Sequence, residues 1–205
     1  MIDIKNQNKW DRFSFGYDLM VAAGAEKRWK PAKLSVFSAM KKDKKILFMA
    51  LGTGLDIELF PPNLEITAID ISPKMLERAK DRIAAYEGDL KASIMDVHDL
   101  EFEDNSFDQV FTACTFCSVP NPVNGLKSLK RVLKPGGELH MFEHMGSSHF
   151  PMNVMMKAMS PLSSMIGPAM DRDTVGNVEK SGFKILRVEN IYMDVVRTIS
   201  AVAEK

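Results

Sequence analysis

A short glycine turn and a later aspartate are the residues of this chain best suited to binding chemistry. Gly52-Thr53-Gly54 directly follows an apolar run, and Asp70 closes a second apolar run sixteen residues after Gly54. Glycine lets backbone approach a ligand closely, and an acid at the end of the next strand accepts the hydroxyls of a ribose. The pattern therefore predicts a site for the adenosine part of a nucleoside cofactor.

The surrounding elements strengthen that prediction, because a glycine pair alone occurs in many tight turns. Residues 44–50 are a charged approach followed by the continuous apolar run Ile-Leu-Phe-Met-Ala, and residues 65–70 are a second such run, of the kind that forms parallel strands covered on both faces. Ser72 and Pro73 then predict a helix start, and the spacing of apolar residues predicts a helix over 74–86. The predicted order of the unit is strand, helix, strand, helix.

A nicotinamide-dependent dehydrogenase is the main competitor, since its fingerprint also lies between a strand and a helix. That fingerprint requires a third glycine three residues after the second, where the helix packs closely on the strand. The residue at that position is Ile57. The sequence therefore disfavours a dehydrogenase.

Length and composition predict one enzyme domain spanning residues 1–205. The chain has 205 residues, 45% of them hydrophobic and 26% charged, and its formal net charge is zero, which gives no indication of a nucleic-acid partner. No apolar run is long enough to span a membrane, and the polar N-terminus is unlike a signal peptide. Two cysteines do not make a disulfide framework, so we expect a reducing, cytoplasmic location.

The alternation of strands and helices continues to the C-terminus. Further strands are predicted at 92–95, 109–114 and 138–142, with a helix at 123–132, a turn at 135–137 and a helix at 173–180, followed by an antiparallel pair at 183–189 and 198–203. This order predicts an α/β fold: a Rossmann-like, seven-stranded, mostly parallel sheet with helices on both faces and an antiparallel C-terminal strand pair.

Four segments carry a resemblance to a known family. The sequences Leu-Gly-Thr-Gly at 51–54, Ala-Ile-Asp-Ile-Ser-Pro at 68–73, Asp-Asn-Ser-Phe-Asp at 104–108 and Leu-Lys-Arg-Val-Leu-Lys-Pro-Gly-Gly at 129–137 occur in the order and spacing of the class I S-adenosylmethionine-dependent methyltransferases. Among the members of this family, the chain resembles the ubiquinone/menaquinone-type and the short bacterial phospholipid N-methyltransferases, with some likeness to thiol methyltransferases. The resemblance implies S-adenosylmethionine as cofactor.

The resemblance also implies positions for the cofactor. Gly52 and Gly54 would form the turn under its methionine portion, and Asp70 would bind the ribose. The remaining implied cofactor-binding residues are Tyr17, Ala50, Asp56, Ile71, Met75, Asp96, Val97 and Thr115. Asp96 and the backbone at Val97 would read the adenine edge, and Thr115 would neighbour the transferable methyl group.

The sequence departs from the family pattern at two positions. Phe48 stands where the first strand usually carries an acid, and Ala50 stands where the turn usually has its first glycine. Loss of that acid removes a contact to the ammonium group of the cofactor, so either affinity is reduced or another carboxylate, such as Asp56, substitutes. A catalytically silent protein that binds S-adenosylmethionine or S-adenosylhomocysteine is therefore an alternative to an active enzyme.

The predicted acceptor is a small or lipid-like molecule with an apolar body. His144 follows the fifth strand at the edge where this fold binds ligands, so it is a candidate catalytic base or acceptor contact, with a structural hydrogen bond as the alternative. His98 and His149 are interpreted as loop residues without partners. Cys114 and Cys117 are interpreted as small buried hydrophobes with no metal site, although a thiol or arsenite acceptor near Cys117 stays open.

Two segments are predicted to complete the site. Residues 1–40 are expected to form an N-terminal helical lid, because Trp10, Phe13 and Tyr17 recur at helical spacing; packing on the sheet edge is the alternative. Residues 144–172 form an insertion on the substrate side that is rich in methionine. Flexible apolar side chains there indicate an adaptable acceptor pocket or a peripheral membrane contact, with an ordinary packed helix as the alternative.

Overall fold

The computed structural model of the chain describes residues 2–18 and 25–204. The strands are β1 (Ile46–Met49), β2 (Glu65–Asp70), β3 (Asp89–Ile94), β4 (Phe107–Ala113), β5 (Leu133–His144), β6 (Lys184–Tyr192) and β7 (Val196–Val202). The α-helices of the described residues are α1 (Ile4–Phe13), α2 (Ala25–Phe37), α3 (Pro73–Ala84), α4 (Pro122–Val132), α5 (Met152–Ile166) and α6 (Thr174–Lys180), and a 3-10 helix spans Leu55–Leu59.

The seven strands form one sheet in the order β3-β2-β1-β4-β5-β7-β6. Strands β1 to β5 pair in parallel, whereas β7 pairs antiparallel with both β5 and β6. The chain moves outward from β1 to β3 and then returns to the other side of β1 with β4. A crevice therefore opens between β1 and β4 at their carboxyl ends, where ligands bind in sheets of this kind. The predicted fold class is confirmed.

Strand β1 shows why the central strands read as unbroken apolar runs. All four of its residues are buried, and neighbouring residues belong to different cores: Leu47 packs with Val110 and Leu139, whereas Phe48 packs with Phe37 and Phe111. Successive side chains of a strand point to opposite faces, so both faces of the sheet are covered. Phe48 is thus part of the core.

The segment at 135–137, predicted to be a turn before the fifth strand, lies inside β5 instead. The first residue of this strand pairs with β4 through Leu133 and Phe107, and pairing resumes at Glu138 and Gln109 after an irregularity in register. Gly136 has a φ of +75°, and its N–H donates to the carbonyl of Ala203. The glycines therefore permit a bulge that β7 continues to cover.

Helix α3 starts as its sequence indicates. The Ser72 hydroxyl accepts a hydrogen bond from the Met75 N–H at 3.1 Å, and Pro73 occupies the first turn. This cap fixes the chain directly after Asp70, at the edge of the crevice. Elsewhere, no helix of the described residues combines the length and the apolarity needed to cross a bilayer.

Candidate functional site

A cavity lies at the carboxyl ends of β1, β2 and β4, in the crevice where the strand order reverses. Nine of the eleven predicted cofactor-binding residues line it: Tyr17, Ala50, Gly52, Asp70, Ile71, Met75, Asp96, Val97 and Thr115. They come from segments far apart in the sequence, and the parallel register of β1, β2 and β4 brings them together. Gly54, Asp56 and His144 lie outside this lining.

The two glycines of the turn have different structural tasks. Gly52 has a φ of +61°, and a Cβ added there would meet no atom within 4 Å, so this position leaves backbone open to the cavity. A Cβ on Gly54 would lie 2.9 Å from Ile57 Cδ1 and 3.2 Å from Ala79 Cβ. Gly54 is therefore needed for the close packing of the turn on α3. Ala50 also has a positive φ, of 59°, which glycine would adopt at lower cost.

Asp70 is the central polar group of the cavity. Its carboxylate accepts the N–H of Gly52 and the N–H of Ser72, both at 2.8 Å. Burial raises the pKa of Asp70 to about 6, although the hydrogen bonds from these N–H groups act to lower it. Each carboxylate oxygen offers about two acceptor positions, so one on each oxygen is left for a ligand hydroxyl.

Asp96 occupies the next position along the crevice. Its Oδ1 accepts the N–H of His98 at 2.9 Å and lies 2.7 Å from His98 Nδ1, and its Oδ2 accepts the N–H of Asp3 at 3.0 Å. Burial tends to raise the pKa of Asp96, but these hydrogen bonds outweigh it and hold the pKa below its usual value. The interpretation of His98 as a residue without a partner is wrong, because this ring is fixed against Asp96.

The N-terminal segment lies over the cavity and is attached at several points. Besides the Asp3 contact, Gln7 Nε2 donates to the Ile71 carbonyl at 3.0 Å, and Asp11 Oδ1 accepts from the Ser72 hydroxyl at 2.5 Å. Trp10 and Tyr17 line the cavity. Trp10 and Tyr17 both pack against Phe13, with ring centroids 5.8 and 6.4 Å apart, so the predicted aromatic cluster is present above the crevice.

A second cavity adjoins the first on the side of β5. The second cavity also has His144 and a largely apolar wall made of Phe13, Trp29, Cys117 and Pro168. The residues that line both cavities are Trp10, Tyr17, Ala50, Gly52, Ala113 and Cys114. His144 Nδ1 is buried, and no group of the described residues hydrogen-bonds to it. Burial lowers the pKa of His144, so its ring is neutral at pH 7 and Nδ1 is able to accept a proton or a hydrogen bond.

Asp56, predicted to face the cofactor, lies in the wall of this second cavity. Its Oδ1 is 2.7 Å from Lys33 Nζ, and both side chains are largely buried. Asp56 is thus a paired carboxylate that approaches the site from the 3-10 helix. Its contact with the cofactor stays a prediction.

Glu143 is a site residue that the sequence analysis missed. It is fully buried at the end of β5 and accepts hydrogen bonds from the Thr112 hydroxyl at 2.8 Å, the Thr115 N–H at 3.0 Å and the Phe116 N–H at 3.0 Å. Burial raises the pKa of Glu143 to about 7. This carboxylate positions the loop after β4, which places Thr115 in the cavity. In the sequence, the one indication of its role is its position directly before His144 at the end of the fifth strand.

The two cysteines do not behave alike. Cys117 is buried, as predicted, and burial raises the pKa of its thiol. Cys114 is exposed and lies beyond the end of β4 with a φ of 51°, so its interpretation as a buried strand residue is wrong. Within the described ranges, no group of three or more His, Cys, Asp or Glu side chains could hold a metal ion.

His149 also has a partner that sequence reasoning missed. Its Nδ1 lies 2.9 Å from Asp194 Oδ2, and the same carboxylate accepts from the hydroxyls of Ser147 and Ser148. Although burial acts to raise it, these hydrogen bonds hold the pKa of Asp194 far below its usual value. This cluster fixes the segment that connects His144 to α5.

Comparisons with known proteins agree with this geometry. Residues 47–141 match the methyltransferase domain family. The chain is 33% identical over 154 residues to the ubiquinone/menaquinone biosynthesis C-methyltransferase of Geotalea daltonii, covering 68% of this chain and 63% of that protein. It is 28% identical over 183 residues to the thiol S-methyltransferase TMT1B of Rattus norvegicus, covering 82% of this chain and 74% of that protein.

The chain belongs to the class I S-adenosylmethionine-dependent methyltransferases. A structural match supports the fold: an N-methyltransferase of Haemonchus contortus, in complex with phosphomonomethylethanolamine and S-adenosylhomocysteine, superimposes with a TM-score of 0.69 at 18% identity over 95% of this chain and 58% of that one. The chain spans less than two thirds of the length of the Geotalea relative.

The cofactor of this family is S-adenosylmethionine, and the residues of the first cavity fit it. The buried Asp70 carboxylate keeps acceptor capacity for two ribose hydroxyls, and Gly52 exposes backbone where a side chain would project. Asp96, Val97 and Met75 provide a polar edge and an apolar wall for a planar base. The first cavity therefore has the features that the adenosine part of this cofactor needs, and binding by the individual residues stays a prediction.

Proposed function

We propose that this chain transfers a methyl group from S-adenosylmethionine to a small or lipid-like acceptor that has an apolar body. The observation that carries the proposal is the joining of two cavities at Gly52, one built around Asp70 and the other walled by aromatic side chains. A donor in the first cavity and an acceptor in the second would meet where both share the carboxyl ends of β1 and β4.

The chemical task of the protein in such a reaction is modest. Bound S-adenosylmethionine supplies a methyl group that its sulfonium already activates. The chain must hold the acceptor in line and exclude water. Glu143 contributes to positioning, because it fixes the backbone of Thr115 at the shared end of β4. Tyr17 and Trp10 cover both cavities and so favour exclusion of water.

His144 is the residue best placed to receive a proton in the second cavity. His144 lines this cavity, and burial lowers its pKa below the usual value, which favours the neutral ring. A neutral imidazole could accept the proton of an acceptor hydroxyl or thiol as its oxygen or sulfur gains the methyl group, or the proton that an amine nitrogen sheds after it has been methylated. We therefore propose His144 as the general base.

The wall of the second cavity supports an acceptor with an apolar body. Trp29 and Phe13 supply aromatic surface, and the charges of Lys33 and Asp56 in this wall are paired with each other. Burial of an acyl, prenyl or aromatic group there would contribute about 25 cal/mol per Å² of covered surface. The functions for which the relatives are named, quinone and thiol methylation, are compatible with such acceptors.

The test of the cofactor site is calorimetry with S-adenosylmethionine and S-adenosylhomocysteine. Asp70→Ala should weaken binding by tenfold or more, because charge-assisted hydrogen bonds are worth roughly 1.5–3 kcal/mol. Asp81→Ala, at an exposed position on α3, is the matched control and should bind as tightly as the unchanged protein. Equal affinity of Asp70→Ala and the control, with the fold intact, would refute the assignment.

A methyl-transfer assay then tests turnover. The purified protein would be supplied with a reduced quinone, an alkyl thiol and a phosphatidylethanolamine, and release of S-adenosylhomocysteine would be measured. His144→Ala should lower kcat for the acceptor that is used and leave cofactor affinity nearly unchanged. Tight cofactor binding without turnover of any acceptor would favour the silent binding protein, for which Ala50 in the turn is the sequence evidence.

A further inference from the structure

Helix α5 presents a wide apolar face that no described part of the chain covers. At 100° per residue, the exposed side chains of Val154, Met155, Met159, Leu162 and Met165 fall within one continuous arc of the helix. Leu162 and Met165 are 71% and 74% exposed. Apolar side chains in such a contiguous arrangement mark a docking surface.

The opposite side of α5 is firmly attached to the protein. Met156 is buried in the same core as Phe142, and the hydroxyl of the buried Ser160 donates to Asp171 Oδ1. The helix is therefore held with its apolar face outward, as a fixed part of the fold. The helix has a single charged residue, Lys157, and contains no acid.

Basic residues of α1 border this face. Lys5 and Arg12 are exposed on α1, and they line the groove between α1 and α5 together with Met165. Lys9 spans the groove, with its Nζ 3.4 Å from the Gly167 carbonyl. The acid of this groove is Asp3, whose carboxylate is used to cap α1 by accepting the N–H groups of Lys5 and Asn6. Neither Lys5 nor Arg12 forms an ion pair with a described carboxylate.

We infer that the α5 face and the basic edge of α1 dock on a lipid bilayer that carries anionic headgroups. Apolar side chains beside a row of cations match the layering of such a surface, where acyl chains lie beneath phosphates. Between Val154 and Met165 the face offers only methionine, leucine, valine, alanine and proline, and the nearest charges that border it are cations. Acyl chains would cover the apolar part, and anionic headgroups would meet the cations.

The docking surface lies next to the proposed acceptor cavity. Phe13 lines both the groove beside Met165 and the cavity that contains His144. This arrangement would place the cavity entrance near the depth of the headgroups. The inference concerns binding to a surface, so it stands or falls separately from the proposed methyl transfer.

Co-sedimentation with vesicles tests the apolar half of the surface. The full chain should bind vesicles of phosphatidylcholine and phosphatidylglycerol more tightly than vesicles of phosphatidylcholine alone. Leu162→Ser with Met165→Ser should lower the partition coefficient at least tenfold, because two apolar side chains that would enter the bilayer are lost. The matched control is Leu186→Ser with Val188→Ser on the edge strand β6, where these side chains are 61% and 37% exposed, and it should bind normally.

Charge variants test the basic half. Lys5→Gln with Arg12→Gln should lower binding to the anionic vesicles about twenty-five-fold, which is about fivefold for each cation, and high salt should have a similar effect. The control Lys42→Gln with Lys127→Gln removes two exposed cations away from α1 and α5 and should bind as the unchanged chain does.

Three outcomes would overturn the inference. One is failure of the unchanged chain to bind anionic vesicles. Another is equal loss in the variants and their controls. The third is a dimer in sedimentation velocity that dissociates on Leu162→Ser with Met165→Ser, which would assign the face to a second copy of the chain.

Discussion

Replacing Glu143 by glutamine should stabilise the protein at alkaline pH and leave its stability unchanged at acid pH. The pKa of this carboxyl rises from 4.5 to about 7 because it is buried. Between these pH values the folded protein keeps a proton that the unfolded chain has released. Stability is therefore complete below pH 4.5 and falls as the pH rises through 7. A pKa difference of one between the folded and unfolded states is worth about 1.36 kcal/mol. The raised pKa of Glu143 should therefore lower the free energy of unfolding at pH 8 by about 3 kcal/mol.

Glutamine at this position can keep the hydrogen bonds. Its amide oxygen can accept the N–H groups of Thr115 and Phe116, and its amide nitrogen can donate to the Thr112 hydroxyl. Glu143→Gln should therefore melt about 6–12 °C above the unchanged protein at pH 8, given about 2–4 °C for each kcal/mol in a chain of this size. At pH 4 the two melting temperatures should agree.

Thermal unfolding followed by circular dichroism across this pH range checks the prediction. The matched control is Glu138→Gln on the same strand. Burial acts to raise the pKa of Glu138, but hydrogen bonds from Gln109 and His140 lower it overall, so its removal should not stabilise the protein at pH 8. A melting temperature difference for Glu143→Gln that is independent of pH, or a loss of stability at pH 8, would refute the reasoning.

Other substitutions test the turn, the lid and α5. Ala50→Gly should raise the free energy of unfolding by about 0.5–1 kcal/mol, because it relieves a left-handed alanine; destabilisation in urea unfolding would contradict this. Asp11→Ala should weaken S-adenosylmethionine about fivefold in calorimetry, since it releases α1 from Ser72; unchanged affinity would contradict a closing lid. Met156→Ser should cost about 2–4 kcal/mol of stability, whereas Met155→Ser should be nearly neutral, and equal costs would argue against the orientation of α5.

Much of the cofactor half could be predicted from the sequence because its signals are local. The glycine turn, the strand that ends at Asp70 and the Ser72 cap all lie within a short stretch, where periodicity and turn chemistry act directly. The β4 boundary shows the limit. The apolar run continues to Cys114, but the backbone turns left-handed at that residue, so β4 ends at Ala113.

The polar partners of the site could not be predicted, because they are far apart in the chain. Asp96 accepts a hydrogen bond from the N–H of Asp3, 93 residues away, and Glu143 accepts one from the N–H of Thr115, 28 residues away. Lys33 reaches Asp56 from another helix. Composition and periodicity give no indication of which residues meet in this way, since folding alone brings the strand ends and the N-terminal segment together.

The position of α1 has a consequence for the order of events in each catalytic cycle. Asp3 and Gln7 attach the helix above Asp96 and Ile71, while Trp10 and Phe13 of the same helix form part of the acceptor wall. In the proposed reaction, we expect exchange of the spent cofactor to require lifting of this helix, which would open the wall of the proposed acceptor cavity at the same moment. We therefore expect the methylated acceptor to leave first and S-adenosylhomocysteine last. Steady-state kinetics should show S-adenosylhomocysteine competing with S-adenosylmethionine and acting as a noncompetitive inhibitor toward the acceptor.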